Sequence, residues 1–302
     1  MRRGRSSSEA AYGLPSLLSI VILLSQFLSH SLQPQAISTS SNTLESMKSI
    51  ALLLLAFSVV TTLPAQSQDA NYWLAQTQSD YRNGSYSLAL DDIEEYLEIN
   101  SSDAWAWSFK ANLLIKMKRY SEAVDSFDQV ILLDGSNAQA YNDRALILSG
   151  GMRQDEEALN SLETALQINP GNANYWFNKG IILESLERYP EALEAYGQAT
   201  ELDQYLDRAW YRQAQVLALQ GSYNESLASL DRAIEINSKN AEAWNEKGLV
   251  LKEMNLRQEA LSCFERAAAL QPSNRDFKRN LKDMQEEMGP MPEKMVEFQS
   301  TE

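Results

Sequence analysis

Histidine and cysteine are almost missing from this chain of 302 residues: His30 and Cys263 stand alone. One thiol cannot close an intrachain disulfide, and a Cys/His zinc site or a Ser-His-Asp or Cys-His nucleophile centre lacks its parts. Positive charge is also scarce, 26 Lys and Arg facing 41 Asp and Glu for a net charge of −15. A nucleic-acid partner needs a basic face, and this balance counts against one. No phosphate-cradling G-x-x-x-x-G-K-[ST] loop and no D-x-[DN]-x-[DN]-G calcium loop occurs. Neither apolar stretch near the N-terminus reaches the roughly 20 residues of a membrane-spanning helix. Hydrophobic residues nonetheless make up 44% of the chain, enough for a packed core. No cofactor, metal site or catalytic set is expected.

Residues 1–67 differ from the rest, being rich in Ser, Leu and Thr with Arg2, Arg3, Arg5, Glu9, Glu45 and Lys48 as their only charges. Apolar stretches run from Leu14 to Leu28 and from Ile50 to Val60. The second follows Lys48 and leads through Pro64 to the small-residue site Ala65-Gln66-Ser67, the layout of a secretory signal peptide. The expectation is a targeting region over 1–67, with the signal at 47–67, Met47 as the natural start and a mature chain beginning at Gln68. Export follows from it. The rival reading leaves one apolar segment in the membrane as a tether.

From Ala70 onward the sequence repeats itself with a period of 34, which outranks any local secondary-structure signal. Aromatics fall at Trp73, Trp107, Tyr141, Trp176, Trp210 and Trp244. Small residues follow at Ala89, Ala123, Ala158, Ala192, Ser226 and Ala260, with Ile93, Phe127, Leu162, Tyr196, Leu230 and Phe264 four further on. These are positions 4, 20 and 24 of copies spanning 70–103, 104–137, 138–172, 173–206, 207–240 and 241–274. Positions 4, 8 and 11 share one helical face and positions 20, 24 and 27 another, so each copy reads as two antiparallel helices. Gly84, Gly150-Gly151 and Gly221 read as breakers between them, the extra residue of the third copy being placed in its turn. One hairpin cannot bury both faces alone, so the copies stack. The aromatics at position 4 are expected in the core. Residues 275–288 read as a capping helix, and 289–302 as a disordered tail after Gly289-Pro290.

These residues resemble the tetratricopeptide repeat family: an aromatic at position 4, Gly or Ala at 8, Ala at 20, an aromatic at 24, Ala at 27 and Pro at 32. Position 8 is Ala111, Ala145, Gly180, Ala214 and Gly248, but Thr77 in the first copy, which is expected to pack loosely. The resemblance implies an all-α, right-handed α-solenoid of six helix-turn-helix repeats plus a C-terminal capping helix. It further implies a concave groove, lined by positions 2, 5, 9 and 12, that receives a peptide or partner segment. Carried onto this chain, the candidate groove residues are Trp105, Asn112, Asn142, Phe177, Arg208, Tyr211, Arg212 and Asn245. The amides both donate and accept, the rings supply apolar area, and the two arginines suit an acidic group. No copy has Lys at position 5, which argues against the family's mode of gripping chaperone C-terminal carboxylates.

Other motifs read as structural. Leu148-Ser149-Gly150-Gly151-Met152-Arg153-Gln154 resembles the signature loop of ATP-binding cassette ATPases but lies in phase with the repeat and lacks the phosphate loop that family needs. Asp91-Asp92, Glu94-Glu95 and Asp155-Glu156-Glu157 read as a solvated acidic face, and Cys263 as an inert thiol. The sequence therefore points to a non-catalytic protein-interaction scaffold with a protein or peptide partner. Its alternatives are an accessory subunit presenting substrates to a separate envelope enzyme or assembly complex, and an intracellular scaffold.

Overall fold

Thirteen helices and no strand make up residues 70–289, the part of the chain that the computed structural model describes. The expectations for residues 1–67, the 47–67 signal and the tail beyond Gly289 lie outside the described residues. The helices form six pairs: α1 (Ala70–Arg82) with α2 (Tyr86–Ile99), α3 (Ala104–Lys116) with α4 (Tyr120–Leu133), α5 (Ala138–Met152) with α6 (Asp155–Ile168), α7 (Ala173–Ser185) with α8 (Tyr189–Leu202), α9 (Asp207–Leu219) with α10 (Tyr223–Ile236), and α11 (Ala241–Glu253) with α12 (Arg257–Leu270). A last helix, α13 (Arg275–Met288), packs on α12. Each helix touches the next along the chain, and the result is an all-α helical solenoid.

The turn inside each pair needs one residue in the left-handed region, supplied by Gly84, Lys118, Arg153, Glu187, Gly221 and Asn255. Only two of these are glycine, so the turn geometry is imposed by packing where a side chain pays a steric cost. The extra residue of the third repeat does not sit in the turn. It lengthens α5 to 15 residues through Gly150 and Gly151 and leaves a shorter connection. The reason is contact: a Cβ on Gly151 would stand 2.8 Å from Cγ of Tyr120, so the missing side chain lets α5 run on against that ring.

Small residues at positions 8 and 20 let the paired backbones approach, and Ala111, Ala123, Ala145, Ala158 and Ala192 are fully buried. Thr77 does not loosen the first repeat. It is buried, and its hydroxyl donates to the Trp73 carbonyl at 2.8 Å. The tryptophans at position 4 pack against the core as expected, but each is half-buried and stands at its edge rather than inside it. Four of their indole N–H groups also donate to the loop carbonyl six residues earlier: Trp107 to Ser101, Trp176 to Pro170, Trp210 to Gln204 and Trp244 to Ser238, at 2.8 to 3.2 Å. Each staples the connection from the preceding repeat.

Ion pairs 16 residues apart tie successive repeats, position 25 of one to position 7 of the next. Lys110 meets Glu94 at 2.9 Å, Arg144 meets Asp128 at 2.7 Å, Lys179 meets Glu163 at 3.2 Å, and Lys247 meets Asp231. The three lysines also lie over the tryptophans of their own repeats, 5.2 to 5.9 Å from the ring centroids. The rung between the fourth and fifth repeats is missing, since Gly197 and Gln213 occupy its two places. Gln213 Oε1 is buried there without a partner. The side-chain N-cap is missing too: Asp103, Asn137, Asn172, Asn240 and Asn274 cap the other junctions, where this one has Leu206.

A Cβ on Gly197 meets nothing within 4 Å, so the rung can be installed. Gly197→Glu with Gln213→Lys is expected to stabilise the chain by about 1–2 kcal/mol, about 1 from removing a mid-helix glycine and the rest from the partly buried pair. Denaturant unfolding of the single and double variants checks this. An unchanged midpoint in the double variant would show that the junction gains nothing from a rung.

Candidate functional site

The first helices of successive repeats come together, α5 touching α7 and α9 touching α11, while no two second helices among the described residues make comparable contact. Rows that crowd on one side and spread on the other bend the stack, which puts the first helices on the inner face. Positions 2, 5, 6, 9 and 12 of α1, α3, α5, α7, α9 and α11 line it, because these lie away from the stripe packed on the second helices.

Charge divides between the faces. The outer helices α2, α4, α6 and α8 each carry at least three Asp or Glu and no Lys or Arg. The first helices mix both signs. Anionic ligands are therefore repelled from the outer face of the first four repeats, and the inner face is the more permissive one.

Of the candidate groove residues, Trp105, Asn112, Arg208 and Arg212 are exposed on the inner face, and Tyr211 and Asn245 are half-buried there. Asn142 and Phe177 are not available to a ligand as expected, being 4% and 6% exposed. The close approach of neighbouring first helices closes over positions 5 and 6 and turns them to inter-repeat bonds. Asn178 Nδ2 donates to Asn142 Oδ1 at 2.8 Å, and Asn142 Nδ2 donates to Asp143 at 3.0 Å. Asn280 Nδ2 donates to Asn245 Oδ1 at 2.8 Å in the same way. Asn112 Nδ2 donates to its own helix, at the Ser108 carbonyl. Phe177 lies 5.9 Å from the Tyr196 ring, centroid to centroid, and the Arg208 guanidinium stands over the Phe177 ring, 4.5 Å from its centroid. Arg208 also donates to Asn174 Oδ1.

Two features of this face combine candidate residues with residues outside the candidate set. An open cavity of about 320 Å³ lies between the second and third repeats, walled by Ile115, Tyr120, Phe127 and Leu146 with Asn112 and Asp143 among its polar groups. Beside Asn112, an aromatic strip runs from Tyr86 through Tyr81 and Phe109 to Trp105, ring to ring at 5.2 to 5.7 Å. Phe109, at position 6, lies outside the groove positions 2, 5, 9 and 12 that the resemblance implies. The signal was present in the sequence: position 6 lies one turn from position 2, so Phe109 had to share a face with Trp105.

Burial shapes the ionisable groups. It raises Asp143 above the usual carboxylate value, against the Asn142 and Gln139 amides that pull it down. Glu246 is likewise raised by burial, with the Gln215 amide opposing. Tyr211 is pushed up to about 12, first by burial and then by the charges of Glu246 and Glu242. Tyr196 is buried, donates to Glu184 and keeps its proton well above the ordinary phenol range. Burial also raises Cys263, which favours the unreactive thiol form. Among the described residues no group of three His, Cys, Asp or Glu is placed to hold a metal ion. The arrangement offers apolar area, amides and charged rows suited to binding.

Sequence models described as tetratricopeptide repeat match residues 106–137, 173–205 and 241–274, and one described as TPR repeat matches 214–255. No curated protein matches significantly. Among solved structures, YrrB, reported as a TPR protein with an unusual peptide-binding site, is 25% identical over 63% of this chain and 97% of its own, with a TM-score of 0.52. PilW, reported as a widely conserved type IV pilus biogenesis factor, is 18% identical over 71% of this chain and 99% of its own, with a TM-score of 0.60. PilF of Pseudomonas aeruginosa is 19% identical over 72% and 97%, with a TM-score of 0.58. The last two likenesses establish the fold alone.

Proposed function

Because this chain is a tetratricopeptide repeat protein, we propose that it is a non-catalytic scaffold that holds a segment of a partner protein along the inner face of its first helices. The cavity between the second and third repeats carries this reading. It is open, apolar-walled and large enough to seat a side chain, with exposed Leu146 at its edge. Exposed Leu249 and Trp105 extend the apolar area along the same face. An aromatic anchor such as Trp105 can supply much of the affinity in a peptide groove, and the leucines add apolar area that excludes water around it. The peptide-binding site reported for YrrB supports the same reading.

A photo-crosslinking amino acid placed in the full chain tests it. Placed at Leu146 or Leu249, it is expected to capture a partner in cells, whereas Leu132 on the second helix α4, 77% exposed, is expected to capture none. Capture at Leu132 and not at the inner positions would overturn the proposal. The scaffold is placed outside the cytoplasm on the signal layout of residues 47–67 alone. Cell-derived protein whose intact mass still includes those residues would remove that part.

A further inference from the structure

Arg208 and Arg212 sit one turn apart on α9, and Glu242 and Glu246 sit one turn apart on α11, so each pair forms a short row of one sign on the inner face. The rows occupy the same positions, 2 and 6, of neighbouring repeats. Five other cations of the first helices are neutralised, Lys110 by Glu94, Arg144 by Asp128 and Glu157, Lys179 by Glu163, Lys247 by Asp231 and Lys252 by Glu287, whereas Arg82 and Lys116, the last residues of α1 and α3, form no ion pair among the described residues. Among the described residues, Arg208, Arg212, Glu242 and Glu246 form no ion pair, not even with each other. Arg208 gives one donor, on Nη2, to Asn174 and its flat face to Phe177, which orients the guanidinium and leaves its other N–H groups for a ligand. Arg212 is exposed and makes no hydrogen bond among the described residues. Tyr211, half-buried, feels the charges of Glu246, Glu242, Arg212 and Glu184 together.

We infer that this part of the groove recognises an extended polypeptide segment carrying one acidic and one basic side chain about three residues apart, the acid on Arg208 and Arg212 and the base on Glu242 and Glu246. The spacing follows from the fold: neighbouring helix axes stand about 8–10 Å apart and an extended chain advances about 3.3 Å per residue. Each charged side chain of the ligand meets two opposite charges held one turn apart, and the Tyr211 ring offers apolar area to what lies between. A segment of one sign alone would bring a like charge against one of the rows. The bipolar segment is therefore favoured over both a purely acidic and a purely basic one, by attraction and by repulsion of the alternatives. This inference rests on the inner face being the binding face and adds the chemistry of the bound segment.

The test uses the full chain on an array of extended peptides that each carry one Glu and one Lys, separated by one to six residues, in both orders. Binding is expected to peak at a separation of about three, with one order preferred, and to fall about tenfold when either charge of the peptide is made neutral. The decisive variant exchanges the rows, Arg208→Glu and Arg212→Glu with Glu242→Arg and Glu246→Arg, and is expected to prefer the opposite order. Should that variant fail to fold, Arg212→Gln and Glu242→Gln, both exposed, are each expected to weaken the preferred peptide and to flatten the difference between orders. Binding that ignores separation and order, or an order preference unchanged by these substitutions, overturns the inference. Crosslinking at Leu146 and Leu249 reports separately: capture there without charge dependence leaves the groove reading standing and removes this one.

Discussion

Gly180→Ala is expected to destabilise the protein by about 2 kcal/mol, although alanine is the better helix former by about 1 kcal/mol. Gly180 is position 8 of α7, and a Cβ there would stand 2.3 Å from Cε1, 2.6 Å from Cδ1 and 2.7 Å from Cζ of Tyr196. Those are atoms of a rigid ring that is fully buried. The ring cannot withdraw: its hydroxyl is held by Glu184, on the same helix as Gly180, and Phe177 lies against it. Either α7 moves away from α8 or the hydroxyl loses its partner, and both outcomes cost more than the helix propensity returns. Gly248→Ala meets Phe264 at 2.6 Å, but that ring has no hydroxyl to tether it, so a smaller loss is expected. Denaturant midpoints for the two variants, and for Gly180→Ala combined with Tyr196→Leu, measure the effect. A Gly180→Ala protein as stable as the parent would mean that the pair relaxes freely.

The open end of the stack should be equally sensitive. α13 is charged along most of its length but buries Phe277 at 5% exposure and Met284 at 0%. Met284 packs with Leu251, Leu261 and Phe264, and Phe277 with Ala241 and Ala267. Met284→Ala is expected to cost about 2–5 kcal/mol and Phe277→Ala about 3–5. The two sites lie about 10 Å apart along the helix and belong to separate clusters, so the losses should add within about 0.5 kcal/mol. The double variant is then expected to release α13, expose Phe264 and Trp244, and associate through the uncovered end. Melting curves and size-exclusion chromatography read both effects. Lys282→Ala, on the exposed face, serves as the control. A double variant that melts with the parent and stays monodisperse would show that α13 does not close the array.

Much of the architecture was legible because the period carries it. Six in-phase copies place two helices and their buried faces wherever the chain is read, and Ala123, Phe127 and Val130 are buried as their spacing requires. The misreadings have a common cause. Trp107 and its equivalents look like residues of the core interior from hydrophobicity alone, yet an indole N–H needs an acceptor, and the connection from the preceding repeat provides one. The Gly150-Gly151 pair looks like a turn until Tyr120, from the preceding repeat, is set beside it. Asn142 looks like a ligand-facing amide until Asn178 arrives from the next. In each case the partner comes from a neighbouring copy.

By itself the sequence determined the fold class, the number of repeats and the buried stripe at positions 8, 20, 24 and 27, since these follow from periodicity within one copy. The tertiary structure alone decided which inner-face groups are spent on holding the stack and which remain for a ligand. Arg144 and Lys179 are neutralised by Asp128 and Glu163, while Arg212 is left without an ion pair among the described residues. That distinction depends on side chains 16 or about 35 residues apart in sequence meeting across a junction, and no local pattern encodes such a distance until neighbouring repeats pack and bring their faces together.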